Sequence, residues 1–267
     1  MRHWLRMYQK FIKVYMKQQL EYRFSFFGDL FVNMLTFVTL YLGFWIIFNK
    51  FDLLNGWTYY DVMFLYNINL VSYAISSFFL WNPMKQLENL VRNGDFDNYL
   101  TRPLSPLRLL IMRQVGHTFI AHIAVSIVIF AICFVKLDIN WTFTNIVFFI
   151  SIILGATCIH AAIIIAAASS AFWVVRSGTI VDISIYAIRD YINYPISIYA
   201  RWLQILLTFI IPYGFVNYYP STVLLNKEVH SSLNIIQYGT PVVGIVLLFG
   251  ACLLFYSGIR QYESTGS

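Results

Sequence analysis

The chain has 267 residues, of which 59% are hydrophobic and only 11% are charged, with a net charge of +6 and a mean hydropathy of +0.67. Soluble domains are only about 45–50% apolar, so this composition excludes an ordinary water-soluble domain. The apolar residues form runs of roughly 20, long enough for a helix to cross a bilayer, and do not alternate as they would in a β-barrel. The sequence therefore predicts an all-α membrane protein.

The first segment, residues 1–23, predicts an amphipathic helix that lies in the membrane interface. Its apolar residues recur at helical spacing, and its basic residues fall on the opposite side. The apolar set is Trp4, Leu5, Tyr8, Phe11, Ile12 and Tyr15, and the basic set is Arg2, Arg6, Lys10, Lys13 and Lys17. The alternative is a soluble helix packed on a cytosolic domain, but the sequence offers no such domain.

Hydropathy predicts six membrane-spanning helices, so both termini are expected on the same side of the membrane. The predicted spans are residues 25–48, 59–81, 109–135, 143–174, one within 183–217, and 239–258. Most bases fall on the side of the termini, and short loops rich in Lys and Arg stay in the cytoplasm. We therefore expect both termini to be cytosolic, in the plasma membrane of a bacterium. The bases on that side include Arg23 at the end of the first segment and, beyond it, Lys85, Arg92, Arg102, Arg108, Arg113, Arg176, Arg189 and Arg260.

A polar segment, Asn82 to Arg113, separates the second and third predicted spans. Its charged residues are Lys85, Glu88, Arg92, Asp95, Asp97, Arg102, Arg108 and Arg113. So many charges cannot lie in hydrocarbon, so the segment must face water or another protein. Its apolar residues Met84, Leu87, Leu90 and Val91 predict one face of a short helix, which Asn93 and Gly94 end. Two prolines, Pro103 and Pro106, then predict rigid turns. This pattern fits a segment that binds a partner protein, and it equally fits a solvated loop that only connects the two spans.

The fourth predicted span has small residues at four-residue spacing, namely Ala162, Ala166 and Ser170. Small side chains allow helix backbones to approach closely, so a tight helix contact is expected, within this chain or with a second subunit. At roughly 30 residues the span exceeds a bilayer crossing and implies tilt or extension.

The fifth predicted span is interrupted by Pro195, Pro212 and Pro220. Proline removes a backbone donor, and the carbonyls that it frees need protein or water around them at membrane depth. We expect a broken span followed by a re-entrant hairpin on the outer side, residues 212–226. A kinked helix that ends in an ordinary outer loop is the alternative.

Residue types that carry chemistry in enzymes are sparse. The three cysteines, Cys133, Cys158 and Cys252, fall in apolar runs and are expected to be packing residues. His117 and His122 would lie about 140° apart on a helix, so they do not share a face as metal ligands would. Hydrogen bonds between helices are expected for them and for His160. No phosphate-binding G-x-x-x-x-G-K-[S/T] motif occurs, so no nucleotide site is predicted and the chain is not expected to be an enzyme.

Two segments resemble permease subunits of the ABC-2 class of ATP-binding-cassette exporters. The first is Gly94-Asp95-Phe96-Asp97-Asn98-Tyr99-Leu100-Thr101-Arg102-Pro103-Leu104, which is similar to the G-x-[hydrophobic]-D-x-x-L-x-[R/K]-P segment of that family. The second is the C-terminal run from Tyr256 to Gly266, which resembles the closing G-x-x-x-Y-x-S-x-G of the same permeases. The aromatic fifth region matches the family only loosely.

The resemblance implies a single transmembrane domain, residues 1–267, that pairs with a second permease subunit, identical or different. It also implies that residues 83–108, with a coupling helix at Met84 to Gly94, engage a separate cytosolic ATPase, which binds the ATP and Mg²⁺. On this analogy the ATPase-contacting residues are Glu88, Arg92, Asp95, Asp97 and Arg102. No cofactor or metal is expected on this chain itself.

The sequence therefore predicts a permease half of an ATP-driven exporter that moves an amphipathic or hydrophobic substrate. A stand-alone carrier or channel, with the histidines as its working groups, is the first alternative. A membrane scaffold or immunity protein that binds a toxic peptide is the second. Apolar span residues look alike whether they face lipid or cargo, so they do not identify the substrate.

Overall fold

A computed structural model describes residues 2–174, 177–227 and 234–263, without the side chains of residues 2–7, 19, 186 and 234. Two sets of residues used in the sequence argument lie outside the described residues. They are Arg176, Ser264, Thr265 and Gly266, together with the side chains of Arg2, Trp4, Leu5 and Arg6.

The described part of the chain is helical and contains no β-strand, which confirms the all-α prediction. Its α-helices are α1 (Arg2–Glu21), α2 (Arg23–Lys50), α3 (Tyr59–Arg92), α4 (Asp97–Leu100), α5 (Pro106–Arg113), α6 (Phe119–Lys136), α7 (Phe143–Ser169), α8 (Gly178–Asp182), α9 (Arg201–Ile205), α10 (Tyr218–Leu224) and α11 (Thr240–Gln261). We call the end of the bundle where α3 and α11 finish the lower end, and the end where they begin the upper end.

Among the described residues, five helices are long and apolar enough to cross a membrane: α2, α3, α6, α7 with its extension to Phe172, and α11. They correspond to predicted spans one to four and six. The third span was predicted from residue 109, but α5 ends at Arg113 and α6 begins only at Phe119. Between them the Gly116 amide donates to the Phe78 carbonyl at 2.8 Å. A Cβ at Gly116 would lie 3.1 Å from the Ser77 carbonyl oxygen, so this approach of the break to α3 favours glycine.

The predicted fifth span is not a continuous helix in the described residues. Region 183–217 consists of short pieces, namely a π-helical turn at Ile183–Ala187, 3-10 turns at Arg189–Asn193 and Ile196–Ile198, α9 with a π-helical turn at Leu206–Ile210, and a 3-10 turn at Tyr213–Phe215. Pro195 and Pro212 each lie between two pieces, as expected for residues that lack an amide donor. A broken fifth region is thus present, whereas its crossing of the membrane, and hence the count of six spans, stays a prediction.

The segment 212–226 folds back against α3 at the upper end. It contains the Tyr213–Phe215 turn and α10, and every residue from 213 to 222 is buried. The Asn217 side chain donates to the Leu65 carbonyl at 3.2 Å and to the Ile192 carbonyl at 2.6 Å. These bonds satisfy backbone groups of α3 and of the fifth region at once. Entry of this segment into the membrane stays a prediction.

The helix α3 lies at the centre of the bundle, with 83% of its most apolar stretch buried. It packs against α6 and α7, and α7 packs against α11. Its polar residues face protein, as Asn67 shows by donating to the Ser126 carbonyl of α6 at 2.9 Å. Polar side chains in a predicted span therefore mark helix contacts here.

The first helix, α1, packs across the lower end. Tyr8 contacts Phe79 of α3, with ring centroids 6.2 Å apart, and Tyr15 contacts His117, at 6.4 Å. The bases Lys10, Lys13 and Lys17 are exposed on its other side. Its position in a membrane interface stays a prediction.

Candidate functional site

The polar segment begins inside α3. The sequence predicted a separate short helix at Met84 to Gly94, but these residues form the last turns of α3, which continues through Pro83. Met84 and Leu87 are fully buried in the core, so their packing outweighs the helix-breaking tendency of proline. Asn82 beside the proline donates to the Val115 carbonyl at 3.0 Å. The predicted coupling element is therefore continuous with a membrane-length helix.

The chain turns sharply after α3, as Asn93 and Gly94 predicted. Gly94 has a φ of +78°, which L-residues with side chains rarely adopt. The Phe96 amide then donates to the Leu90 carbonyl at 3.0 Å, which closes the helix end. The turn points the Phe96 side chain back into the protein.

Phe96 is the centre of an aromatic cluster at the lower end. It is fully buried and lies 5.3 Å from both the Phe172 ring and the Tyr262 ring, measured between centroids. Gly258 of α11 lies directly against Phe172, where a Cβ would collide with the ring. The two segments that resembled the same family in sequence thus meet in space.

Three of the five predicted ATPase-contacting residues lie on the surface. Arg92, Asp95 and Arg102 are exposed around the turn that follows α3. Arg92 donates to the Asn89 side chain at 3.0 Å, which leaves the rest of its guanidinium accessible. These residues are placed where a partner protein can reach them.

The other two predicted contact residues are half-buried and have partners within the chain. Glu88 accepts hydrogen bonds from the Gly178 amide and, at 3.2 Å, from the Ser177 hydroxyl. Asp97 lies beside Tyr262, and burial together with the Asp97 and Asp95 carboxylates raises the pKa of the Tyr262 hydroxyl. This hydroxyl therefore stays protonated and can act as a donor.

An ion pair also joins α3 to the segment 177–182. Lys85 of α3 lies 3.7 Å from Asp182 at the end of α8. Together with Glu88, it attaches the lower turns of α3 to residues 177–182. The broken fifth region begins at the next residue, Ile183, so these contacts lie directly beside it.

Comparison with known proteins agrees with this geometry. The family model of the ABC-2 family transporter proteins matches residues 31–266. The chain belongs to the ABC-2 transporter family. Neither the curated proteins nor the solved structures yielded a match. The match supports a permease subunit, that is, the membrane component of such a transporter.

The permease contains a contact at this end that sequence reasoning missed. Arg113 of α5 donates to the Tyr99 hydroxyl at 2.9 Å, and its guanidinium lies 4.6 Å from the centre of the Tyr99 ring. The pair fixes α5 to α4 and so helps to hold the shape of the turn. No local signal identifies it, because Arg113 looks like any other base of the polar segment.

The small residues of α7 lie beside α11 and the fifth region. Ala162 and Ala166 line a crevice of about 510 Å³ there. The Ser170 hydroxyl donates to the carbonyl of Ala167, one helical turn earlier, at 2.6 Å. A close crossing of α7 and α11 lies nearer the upper end, where a Cβ on Gly155 would lie 2.7 Å from the Cα of Pro241. The predicted contact through Ala162, Ala166 and Ser170 stays a prediction.

The three histidines singled out in the sequence, His117, His122 and His160, contact aromatic rings. His117 stacks on Phe26, with centroids 5.4 Å apart, whereas His122 and His160 both contact Tyr73, at 6.4 and 5.6 Å. Among the described residues, His160 Nε2 and His122 Nδ1 have no hydrogen-bond partner. The hydrogen bonds between helices that we predicted are thus not made through these atoms.

Proposed function

We propose that this permease is the membrane half of an ATP-driven exporter that moves an amphipathic or hydrophobic substrate. Family membership supports the role of a membrane component. The sequence has no P-loop motif to hold nucleotide phosphates. ATP and Mg²⁺ would therefore be bound by a separate ATPase subunit, and this chain would not hydrolyse ATP itself.

The observation that carries the proposal is the exposed charged turn at the end of α3. Arg92, Asp95 and Arg102 are exposed, while the turn itself is fixed by the buried Phe96. A rigid, charged surface element suits a protein partner, because its geometry is fixed before binding. A solvated connector would need neither the buried anchor nor the fixed turn.

Force applied at this turn has a direct route into the bundle. The helix α3 has 34 residues and is about 51 Å long, so it spans from the lower end to the upper end. Glu88 and Lys85 attach it to residues 177–182. We infer that closure of the ATPase subunits moves α3 and the fifth region together. A substrate path at the interface with a second permease subunit would then be lined by α2, α3 and region 183–217.

We further propose that the lower end faces the cytosol of a bacterial plasma membrane, because the ATPase needs cytosolic ATP. Asp95 at the lower end and Asp138 at the upper end are both exposed. In cells, a membrane-impermeant maleimide should label Asp138→Cys but not Asp95→Cys, on a background with Cys133, Cys158 and Cys252 changed to serine. The reverse labelling pattern would contradict this orientation.

Co-purification with an ATPase encoded beside this chain tests the central proposal. The wild-type permease should retain the ATPase, and the double variant Arg92→Glu with Arg102→Glu should lose it. Lys136→Glu is the matched control, because Lys136 is an exposed base at the upper end. If the wild type never retains an ATPase, or if the double variant retains it fully, the exposed turn is not the docking site.

A stand-alone carrier is the second candidate function, favoured by the two histidines that contact Tyr73 inside the bundle. Ionisable side chains in such positions serve carriers as proton or ion sites. Flux driven by an ion gradient in liposomes that contain only this chain, without nucleotide, would support it. Substrate binding without any flux would instead support a scaffold or immunity protein.

A further inference from the structure

Arg189 is a charged residue in the middle of the bundle. It begins the Arg189–Asn193 turn of the broken fifth region. Its guanidinium carbon lies 4.1 Å from the centre of the Tyr73 ring, which belongs to the middle of α3. An ionised side chain at such a position is costly, and in membrane proteins it usually serves a binding or transport role.

The groups around Arg189 are aromatic and imidazole rings. Tyr73 contacts His160, with centroids 5.6 Å apart, and His160 contacts Tyr213 at 5.7 Å. We call Arg189, Tyr73, His160 and Tyr213 the Arg189 cluster. These side chains supply hydrogen-bond donors and ring faces, but no carboxylate.

The carboxylate that contacts Arg189 belongs to its neighbour Asp190. Its oxygen lies 3.6 Å from an Nη atom, which is too far for a hydrogen bond, and its side chain is 62% exposed. A carboxylate that remains largely in water compensates a buried guanidinium only weakly. The cluster therefore retains an excess of positive potential.

Two nitrogens of the cluster are without a partner in the described part of the chain. Arg189 Nε and His160 Nε2 have no hydrogen-bond partner among the described residues, and His160 is only 2% exposed. The Tyr73 ring occupies one face of the Arg189 guanidinium, and the Nε donor lies at the edge of this planar group. A phosphate or carboxylate matches such an edge in geometry as well as in charge.

The cluster is partly exposed and adjoins an apolar crevice. The Arg189 side chain is 19% exposed, whereas its Nε and His160 Nε2 are buried, so a ligand must displace neighbouring side chains to reach these two nitrogens. The Tyr213 hydroxyl donates to the Ser184 carbonyl at 2.9 Å, and Ser184 also lines the crevice of about 510 Å³ between α7, α11 and residues 210–212. The crevice opens outward at Ile210 and Val246, which are exposed.

We propose that the Arg189 cluster binds the phosphate or carboxylate of an amphipathic molecule whose apolar chain lies in this crevice. The inference rests on the proposed function, because it assigns a chemical class to the exported substrate. A membrane-lipid headgroup and the head of another amphipathic anion share this chemistry, and the test separates them.

Binding of radiolabelled dodecyl phosphate to the isolated permease in a non-ionic maltoside detergent tests the proposal. Arg189→Gln should raise the apparent Kd about tenfold, as expected for the loss of a charged hydrogen bond. Arg201→Gln, which changes an exposed arginine nearby in the chain, should leave the Kd unchanged. Unlabelled dodecyl trimethylammonium should not compete, because it has the same chain with the opposite charge.

Two further variants distinguish ligand binding from a loss of folding. Asp190→Asn removes the competing carboxylate and should lower the Kd, an outcome that general damage does not produce. Gly250→Leu should weaken binding of dodecyl phosphate but not of butyl phosphate, because Gly250 lines the crevice and has open space beside it. Equal binding by Arg189→Gln and the wild type, or equal competition by the cationic probe, would overturn the proposal.

Competition by phosphatidylglycerol assigns the source of the ligand. Displacement of dodecyl phosphate by this lipid identifies a lipid headgroup, and retention of the probe identifies another amphipathic anion. The measurement needs no ATPase, so a failure of ATPase docking leaves its result readable. Conversely, the permease could bind the ATPase while its binding of dodecyl phosphate does not depend on Arg189. That result would overturn this inference and leave the proposed function standing.

Discussion

Phe96 and Tyr262 meet edge to face, with ring centroids 5.3 Å apart and an interplanar angle of 79°. One follows α3 and the other follows α11, so their contact joins the proposed docking turn to the end of the last helix. Phe96→Ala should destabilise the permease by about 3 kcal/mol, because it leaves a cavity at a fully buried site. Denaturant unfolding in detergent measures this loss.

The matched control for Phe96 is Leu100→Ala in α4. Leu100 is 41% exposed, so its truncation should change the stability by less than about 1 kcal/mol. Equal losses in the two variants would show that Phe96 does not anchor the turn.

Glu88 is expected to transmit movement and not to hold the ATPase, because its carboxylate is bonded to residues 177 and 178. Glu88→Ala should therefore lower transport while ATPase co-purification persists. Glu88→Gln should be milder, since its amide oxygen still accepts a hydrogen bond.

Gln86→Ala is the control for Glu88, because Gln86 is exposed on the same turns of α3. It should leave both transport and ATPase binding unchanged. A Glu88→Ala variant that no longer binds the ATPase would instead make Glu88 a direct contact, as the sequence predicted.

An ion pair with a buried carboxylate lies at the upper end. The Lys227 ammonium lies 2.7 Å from an Asp61 carboxylate oxygen, and Lys227 also donates to the Gly56 carbonyl at 3.0 Å. The Asp61 side chain is only 6% exposed, so Lys227→Met should cost about 3 kcal/mol by removing its counter-charge, although the Thr58 amide still donates to it.

The double variant Asp61→Asn with Lys227→Met should be more stable than Lys227→Met alone, because it removes the unpaired charge. Thermal unfolding in detergent gives the comparison, with Lys50→Met as a control at an exposed lysine of the same end. A double variant less stable than Lys227→Met would argue against the buried pair.

The crossing of α7 and α11 depends on two glycines. A Cβ on Gly244 would lie 3.0 Å from the carbonyl carbon of Gly155 and 3.1 Å from the Cβ of Cys158. Gly244→Ala should therefore destabilise the permease by about 1–3 kcal/mol through overpacking.

Gly43→Ala in α2 is the matched control, because a Cβ there meets nothing within 4 Å. It should be neutral or stabilise the permease by up to about 1 kcal/mol, since alanine is the better helix former. Thermal unfolding of both variants side by side checks the difference, and a harmless Gly244→Ala would refute the close crossing.

The apolar helices and the turn after α3 were predictable from the sequence, because each depends on residues that are neighbours in the chain. Apolar runs located α2, α7 and α11, and Gly94 located the turn after α3 because that turn needs a positive φ. The extension of α3 through Pro83 was not predictable in this way. It depends on burial of Met84 and Leu87 by distant parts of the chain.

The candidate site was predictable only in outline. Its two sequence motifs identified the segments around Phe96 and Tyr262, but not their contact. The pairing of Glu88 with Gly178 and of Arg189 with Tyr73 joins residues far apart in sequence. No periodicity or spacing encodes such pairs, since they follow from how the helices pack.

Asp61, Tyr73 and Glu88 all belong to α3, spaced along its axis by about 18 and about 22 Å. Each is held by a different partner, respectively Lys227, Arg189 and the amide of Gly178. A shift of α3 along its axis would therefore break or re-form all three contacts together. If the proposed transport cycle moves α3 in this way, the stiffness of its backbone would change the contacts at both ends of the bundle and at Arg189 at the same time.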